Sequence, residues 1–168
     1  MNRYTVAVLV KNKFGVLNRV TSLFRRRQFN ISALTVSETE THELSRITVV
    51  FSGEELIKQQ LINQLYKLPD VVSIKEFTPD DSVSCELLLI KMKNEPENRE
   101  DIRSASEAFS AVTVDYSKDY IMLRLADTTL RIDEFINLMR DYTILEICRT
   151  GSVSLEKGST TIRQIINL

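Results

Sequence analysis

The chain has 168 residues, of which 43% are hydrophobic and 27% are charged, and its formal net charge at pH 7 is -1. This length provides one domain or two small ones, with enough apolar residues for a packed core. The near-neutral balance gives no general attraction to nucleic acid or to an anionic membrane, and no apolar run is long enough to span a bilayer. Because the N-terminal stretch lacks the small-residue cleavage site of a signal peptide, we expect a cytoplasmic protein.

The first half of the chain predicts the order β-α-β-β-α-β. The opening strand is apolar on both faces, which is typical of a central strand covered on both sides. Apolar residues then recur at helical spacing from Val16. The spacing of Ser52 and Glu55 predicts a capping box at the start of the second helix, and Pro69 marks its end. The four predicted strands are Tyr4–Val10, Ile31–Val36, Arg46–Phe51 and Val71–Phe77.

The second half repeats this pattern after a stretch, TPDDSV, that is typical of a linker. Its predicted strands are Ser84–Lys93, Val112–Asp115, Tyr120–Leu125 and Ile144–Arg149, with helices around 102–109 and 132–139. The tail from Gly151 is expected to add a short strand and then to fray. We therefore predict an α+β protein of two ferredoxin-like units, at 1–77 and 84–168, with a linker at 78–83.

No catalytic or metal-binding constellation is evident in the sequence. His42 lies in a polar turn with no nucleophile near it, and the 4 glycines form no phosphate-binding loop. The carboxylate pairs Asp80-Asp81 and Glu100-Asp101 are typical of solvated surface. Cys85 and Cys148 are too far apart in sequence for a zinc site or a disulfide framework, so we expect two reduced, half-buried thiols on neighbouring strands.

The only basic run is Arg25-Arg26-Arg27, at the predicted end of the first helix, where cations interact favourably with the helix dipole. RNA-recognition domains share the predicted topology, but their third strand carries exposed aromatics and a glycine. Here that strand reads RITVVF, so we expect no nucleic-acid partner.

The loop before the first helix is the best candidate for a binding site. A helix N-terminus presents free backbone N–H groups that attract carboxylates, and Gly15 lets a ligand approach them closely. Asn12 and Asn30 offer amide donors and carbonyl acceptors. Together these groups suit a zwitterionic amino acid, with Val16, Leu17 and Ile31 beside an aliphatic side chain. The alternative, that the asparagines only form tight turns, stays open.

The second strand indicates a homodimer. In this topology the strand order is 4-1-3-2, so the ISALTV strand lies at an edge and carries neither proline nor lysine to protect it. Two such edges paired about a twofold axis would give one continuous sheet. That pairing would bring Asn30 of one chain toward the helix N-terminus of the other.

The segments VKNKFGVLNRVTSLFRRRQFNISALTV, ELSRITVVFSGEE, LYKLPDVVSI and EICRTGSVSLEKG resemble the small, regulatory subunit of acetolactate synthase. The resemblance covers nearly the whole chain and is looser from Ser84 to Asp141. It implies an N-terminal ACT domain and a non-catalytic chain without cofactors. It also implies a large catalytic subunit as partner, which would carry thiamine diphosphate, magnesium and flavin.

In this family the small subunit raises the activity of the large one and confers feedback inhibition, usually by valine, in branched-chain amino-acid synthesis. The resemblance places the effector at the ACT dimer interface, where Asn12, Gly15 and the pair Asn30-Ile31 match the family motif. Two positions depart from it. Phe14 stands where the family often has proline or serine, and we expect it to alter which branched-chain amino acid fits and how tightly. Gln28 stands where a glycine usually precedes the aromatic–asparagine pair, so the sensitivity to valine is less firmly implied than the family itself. A free-standing amino-acid sensor and an enzyme of unrecognised chemistry remain as alternatives.

Overall fold

The computed structural model describes residues 2–165 and divides them into two compact units. The first unit contains residues up to Val83 together with those from Val153 onward, and the second contains Ser84–Ser152. This division differs from the predicted domain boundary at the C-terminus. The tail belongs with the first unit because its side chains and carbonyls bond to the first sheet, which local sequence patterns do not reveal.

The first unit is a four-stranded antiparallel sheet with two helices, in the strand order β2-β3-β1-β4. Its elements are β1 Asn2–Lys11, α1 Val16–Arg26, β2 Ile31–Glu38, β3 Leu44–Gly53, α2 Glu55–Leu65 and β4 Val71–Phe77. The predicted β-α-β-β-α-β order is confirmed, and so is the position of β2 at the sheet edge.

Strand β1 is buried on both faces, as its apolar sequence predicts. Val6 and Val8 pack into the core with the helices. Ala7 and Leu9 point to the other face and are equally buried, with exposed fractions of 0% and 1%. The tail contributes bonds on that face, since the Ser73 hydroxyl donates to the Ile162 carbonyl at 2.7 Å.

The tail itself contains a short strand, β9, at Val153–Glu156 and a 3-10 turn at Ile162–Gln164. The short strand was predicted, but the expected fraying after it is wrong up to Ile165, because bonds to the first sheet and its turn hold this part of the tail. Lys75 of β4 forms an ion pair with Glu156 of β9 at 2.6 Å. Arg163 forms an ion pair with Glu40 in the turn between β2 and β3 at 2.9 Å.

The second unit repeats the topology, with the strand order β6-β7-β5-β8. Its elements are β5 Ser82–Lys93, a 3-10 turn Pro96–Asn98, α3 Arg99–Ala108, β6 Val112–Tyr116, β7 Tyr120–Asp127, α4 Thr129–Met139 and β8 Ile144–Arg149. A separate core of residues such as Ile90, Leu123 and Phe135 lies between its helices and its sheet. The two units therefore each have the core of a ferredoxin-like fold.

The predicted capping box at α2 is wrong. Ser52 is still part of β3, where it is paired with Arg3 of β1, so its side chain does not cap the helix. The helix begins after Glu54, which makes no side-chain capping bond, and Glu55 provides the acidic residue of the first turn.

The predicted linker is shorter than expected, because it forms a turn and β5 begins at Ser82. The Asp81 carboxylate accepts a hydrogen bond from the Thr78 N–H at 2.9 Å, which closes the turn. This local bond explains why a polar stretch without periodicity is ordered.

The two thiols are exposed, which corrects the expectation that they are half-buried. Strands β5 and β8 are antiparallel neighbours as predicted, but the register places Cys148 opposite Leu89. Glu86, Leu88 and Ile90 of β5 are buried in alternation, so Cys85 lies on the opposite, open face of the strand.

Candidate functional site

Gly15 shapes the loop between β1 and α1. It is the N-cap of α1 and has a φ of 80°, in the left-handed region that favours glycine. A Cβ built on Gly15 would meet no atom within 4 Å, so the space above this backbone is open. The helix has no side-chain cap and no acidic residue in its first turn. The Val16 N–H donates to the Lys13 carbonyl at 3.3 Å, so a carboxylate would meet the following N–H groups of the first turn and the helix dipole.

Asn12 is fixed by the turn between β2 and β3. Its backbone N–H donates to the Glu43 carbonyl at 2.7 Å. Its Nδ2 donates to the His42 carbonyl at 2.8 Å and to Glu38 Oε1 at 3.0 Å. Both amide hydrogens are thus engaged, and only the carbonyl oxygen Oδ1 is left to accept a hydrogen bond from a ligand.

Glu38 is a residue of this site that the sequence reasoning missed. Besides accepting from Asn12, its Oε2 lies 3.1 Å from Nδ1 of His42. These hydrogen bonds, from His42 first and Asn12 second, hold the pKa of the Glu38 carboxyl below its ordinary value. The residue ends β2 and begins a polar turn, and it reaches Asn12 only because β3 pairs with β2 on one side and with β1 on the other.

The apolar candidates lie in different environments. Val16 is buried in the core, with an exposed fraction of 4%, so its side chain offers little surface to a ligand. Leu17 is 42% exposed and Phe14 is fully exposed. Phe14 and Leu17 therefore provide the apolar surface beside the open helix N-terminus.

Asn30 and Ile31 lie at the other end of the helix. The 11 residues of α1 rise by about 16 Å, and Asn30 follows its C-terminus. Asn30 is exposed and Ile31 is half-buried at the start of β2. Within one chain the structure therefore brings Asn12, Phe14, Gly15 and Leu17 together and leaves Asn30 and Ile31 apart from them.

The remaining candidates from the sequence are the basic run at the end of α1, His42 and possible metal ligands. The cationic residues Arg25 and Arg26 occupy the last turn of α1, and Arg27 donates to Gln64 of α2 at 3.3 Å. His42 is exposed. Among residues 2–165 no group of three metal-ligating side chains comes together. No helix in the described part of the chain is long and apolar enough to cross a membrane.

Comparison with models of protein families shows which class of protein this chain belongs to. Residues 6–73 match the AHAS small subunit-like ACT domain, and residues 85–158 match the model described as the small subunit of acetolactate synthase. The first ferredoxin-like unit, with the exposed loop before its first helix, is thus an ACT domain. The chain as a whole is of the class of ACT-containing subunits.

The relatives define the family. A probable acetolactate synthase small subunit from Archaeoglobus fulgidus is 43% identical over 94% of this chain and 98% of its own length. The acetolactate synthase small subunit of Bacillus subtilis is 39% identical over 92% of this chain and 90% of its own length. The crystal structure of the acetolactate synthase small subunit from Thermotoga maritima superposes with a TM-score of 0.86 at 33% identity, covering 95% of this chain and 100% of that one. The chain belongs to the acetolactate synthase small-subunit family.

Proposed function

We propose that this protein is the regulatory subunit of an acetolactate synthase. It binds the thiamine-diphosphate-dependent large subunit, raises its activity and confers feedback inhibition by a branched-chain amino acid, of which valine is the first candidate. The family membership supports the large subunit as the partner. Effector binding is supported by the geometry of the loop at Asn12–Gly15.

The observation that carries the proposal is the open, uncapped N-terminus of α1 behind Gly15. An amino-acid carboxylate placed there would accept hydrogen bonds from backbone N–H groups. The ammonium group would donate to Oδ1 of Asn12, which the turn holds in place. Phe14 and Leu17 would contact the aliphatic side chain.

The second half of the site would come from another copy of the chain. Strand β2 is an edge strand, and pairing it antiparallel with a second β2 about a twofold axis places the start of one strand beside the end of the other. Asn30 and Ile31, at the start of β2, would then approach Glu38 and Asn12 of the partner. This arrangement gives Asn30 a role that it does not have within one chain.

The test is reconstitution with the large subunit, followed by titration with valine, leucine and isoleucine. We expect the small subunit to raise acetolactate formation and one branched-chain amino acid to reverse that gain with a saturable dose response. Failure of the chain to copurify with a large subunit from its native host would instead favour a free-standing amino-acid sensor. Acetolactate formation from pyruvate by the pure chain alone would contradict the regulatory role.

A further inference from the structure

A second cleft lies on the first unit, on the face of the sheet that does not carry the helices. It has a volume of about 600 Å³ and is bordered by β1, β3 and β4 on one side and by the tail on the other. Leu9 and Phe77, both buried, provide apolar surface at the sheet. This size is in the range of small-molecule sites, which combine apolar walls with a few polar groups.

Glu156 lines this cleft, and one oxygen of its carboxylate is unpaired in the described part of the chain. Its Oε1 accepts a hydrogen bond from Nζ of Lys75 at 2.6 Å. Its Oε2 is buried and has no hydrogen-bond partner among the described residues. A buried carboxylate oxygen without a donor is unfavourable, so a ligand that donates a hydrogen bond here would stabilise the protein.

Arg46 provides a guanidinium cation whose N–H groups can donate hydrogen bonds to a ligand. It is half-buried, it donates to the Ser154 carbonyl, and its guanidinium lies 5.5 Å from the centre of the Phe77 ring. Within residues 2–165 no carboxylate comes within ion-pair distance of Arg46. A guanidinium has five N–H donors, and its planar fork matches a carboxylate.

The charges around the cleft balance. Three cationic side chains line it, from Arg46, Lys75 and Arg163, and three carboxylates do so, from Glu38, Glu40 and Glu156. With equal numbers of both signs, the cleft has no net charge that would select a simple anion or a simple cation. It instead suits a ligand that carries both charges and an apolar part.

We propose that this cleft is a second binding site, for a zwitterionic amino acid with an apolar side chain. The ligand carboxylate binds the Arg46 guanidinium, the ammonium group donates to Oε2 of Glu156, and the side chain contacts Leu9 and Phe77. This site goes beyond the proposed function, because it uses none of the residues of the loop at Asn12–Gly15.

The experiment measures binding of valine, leucine and phenylalanine to the full chain by isothermal titration calorimetry, with acetate and methylammonium as single-charge probes. Arg46→Gln and Glu156→Gln are each expected to weaken binding at this site at least tenfold, whereas Arg140→Gln, at an exposed position, leaves it unchanged. Gly15→Asp is expected to leave this site intact, because Gly15 does not line the cleft. Melting curves followed by circular dichroism check that each variant folds, and Glu156→Gln preserves the side-chain shape.

Three results would overturn the proposal. One is that no amino-acid binding survives Gly15→Asp. Another is that the surviving binding is unaffected by both Arg46→Gln and Glu156→Gln. A third is that acetate binds as tightly as the amino acids, since the ammonium contact would then contribute nothing. If Gly15→Asp instead removes no binding site, while Arg46→Gln and Glu156→Gln each weaken the binding that is seen, the proposed function is contradicted and the second site stands, so the two failures can be distinguished.

Discussion

In both units of this protein an asparagine follows the first strand and makes the same kind of hydrogen bonds. Asn12 follows β1 and donates from its backbone N–H and its side-chain amide to two carbonyls of the β2–β3 turn, at 2.7 and 2.8 Å. Asn94 follows β5 and donates in the same manner to two carbonyls of the β6–β7 turn, at 3.0 and 2.5 Å. An asparagine at this position is therefore part of the fold and does not by itself indicate a ligand.

The units differ at the helix that follows. In the first unit Gly15 opens the N-terminus of α1, and no acidic residue lies in its first turn. In the second unit a 3-10 turn precedes α3, whose first turn contains Glu100 and Asp101. Carboxylates already satisfy the helix dipole there and would repel the carboxylate of an amino acid. Of these two helices, only α1 keeps an N-terminus suited to an anionic group.

The same helices also end alike. Gln28 and Ser110 both have left-handed backbones, with φ of 56° and 57°. The next residue in each case donates to the carbonyl five residues earlier, as in a Schellman motif. Two positions after the left-handed residue stand Asn30 in the first unit and Val112 in the second. The first unit thus has a polar group where the second has an apolar one, and that contrast marks Asn30 as a functional candidate.

The largest effect that we expect is a difference in the free energy of unfolding between the variants Asn94→Ala and Asn12→Ala. Asn94 is buried and also accepts a hydrogen bond from Arg99 at 2.8 Å, so Asn94→Ala leaves buried groups unpaired. We expect it to lower the free energy of unfolding by about 2–3 kcal/mol. Asn12→Ala should cost about 1 kcal/mol, because water replaces the bonds of an exposed side chain. Urea unfolding measures both, and equal losses would contradict the comparison.

Gly15→Asp tests the open helix N-terminus. The new carboxylate would occupy the place of the effector carboxylate and repel it, so we expect the valine affinity of the loop site to fall at least tenfold, or by about 1.4 kcal/mol. A Cβ at this position meets no atom within 4 Å, and aspartate is among the residues that adopt a left-handed backbone at modest cost, so we expect the fold to be kept. Calorimetry with valine gives the affinity.

The matched control for this variant is Gly15→Asn, which has nearly the same shape without the charge. We expect it to weaken valine binding less than Gly15→Asp does. Equal binding by the wild type and Gly15→Asp would place the effector elsewhere.

A smaller effect is expected at the two helix C-termini. Replacing a non-glycine residue in a left-handed conformation by glycine removes steric strain, partly offset by the greater freedom of the unfolded chain. Gln28→Gly and Ser110→Gly should each raise the free energy of unfolding, by about 0.5–1 kcal/mol. Thermal unfolding would show both gains. A loss in Gln28→Gly alone would mean that its side chain has a role which the C-terminal motif does not explain.

The smallest effect is a pH dependence at Asn12 that Asn94 does not share. The pKa of Glu38 is lowered in the folded state, so the stability that it contributes is present above its ordinary value of 4.5 and is lost as the pH falls through the lower folded value. Protonation weakens the bond from Asn12, whereas the carbonyl partner of Asn94 does not titrate. We expect the side-chain amide signals of Asn12, but not those of Asn94, to shift in NMR spectra below that pH.

Much of the fold could be predicted from local sequence. The strands Val71–Phe77 and Ile144–Arg149 agree with the prediction at both ends, because short branched runs are bounded there by turn residues. The capping box at Ser52 was wrong because the pairing of β3 with β1 extends further than the local pattern indicates. The place of the tail depends on contacts between residues far apart in sequence, such as Lys75 and Glu156, which no local pattern contains.

The candidate site could be predicted only in part, because some of its residues are marked by local sequence and others are brought there by contacts between distant parts of the chain. Gly15 could be recognised from sequence, because a glycine just before a helical pattern indicates a backbone conformation that other residues rarely adopt. Glu38 was not, because its bond to Asn12 joins two residues that are 26 positions apart. The role of Asn30 depends on a second chain and stays a prediction.

The most direct test of the account is a mixed dimer. We would co-express a Gly15→Asp chain with an Asn30→Ala chain, both with Arg46→Gln to remove the second cleft, and each is expected to bind valine poorly alone. If each site takes its loop from one chain and Asn30 from the other, a hybrid dimer contains one undamaged site. Calorimetry of the mixture should then recover wild-type affinity at roughly one site per four chains, since about half of the dimers are hybrids. No recovery would contradict a site shared across the dimer.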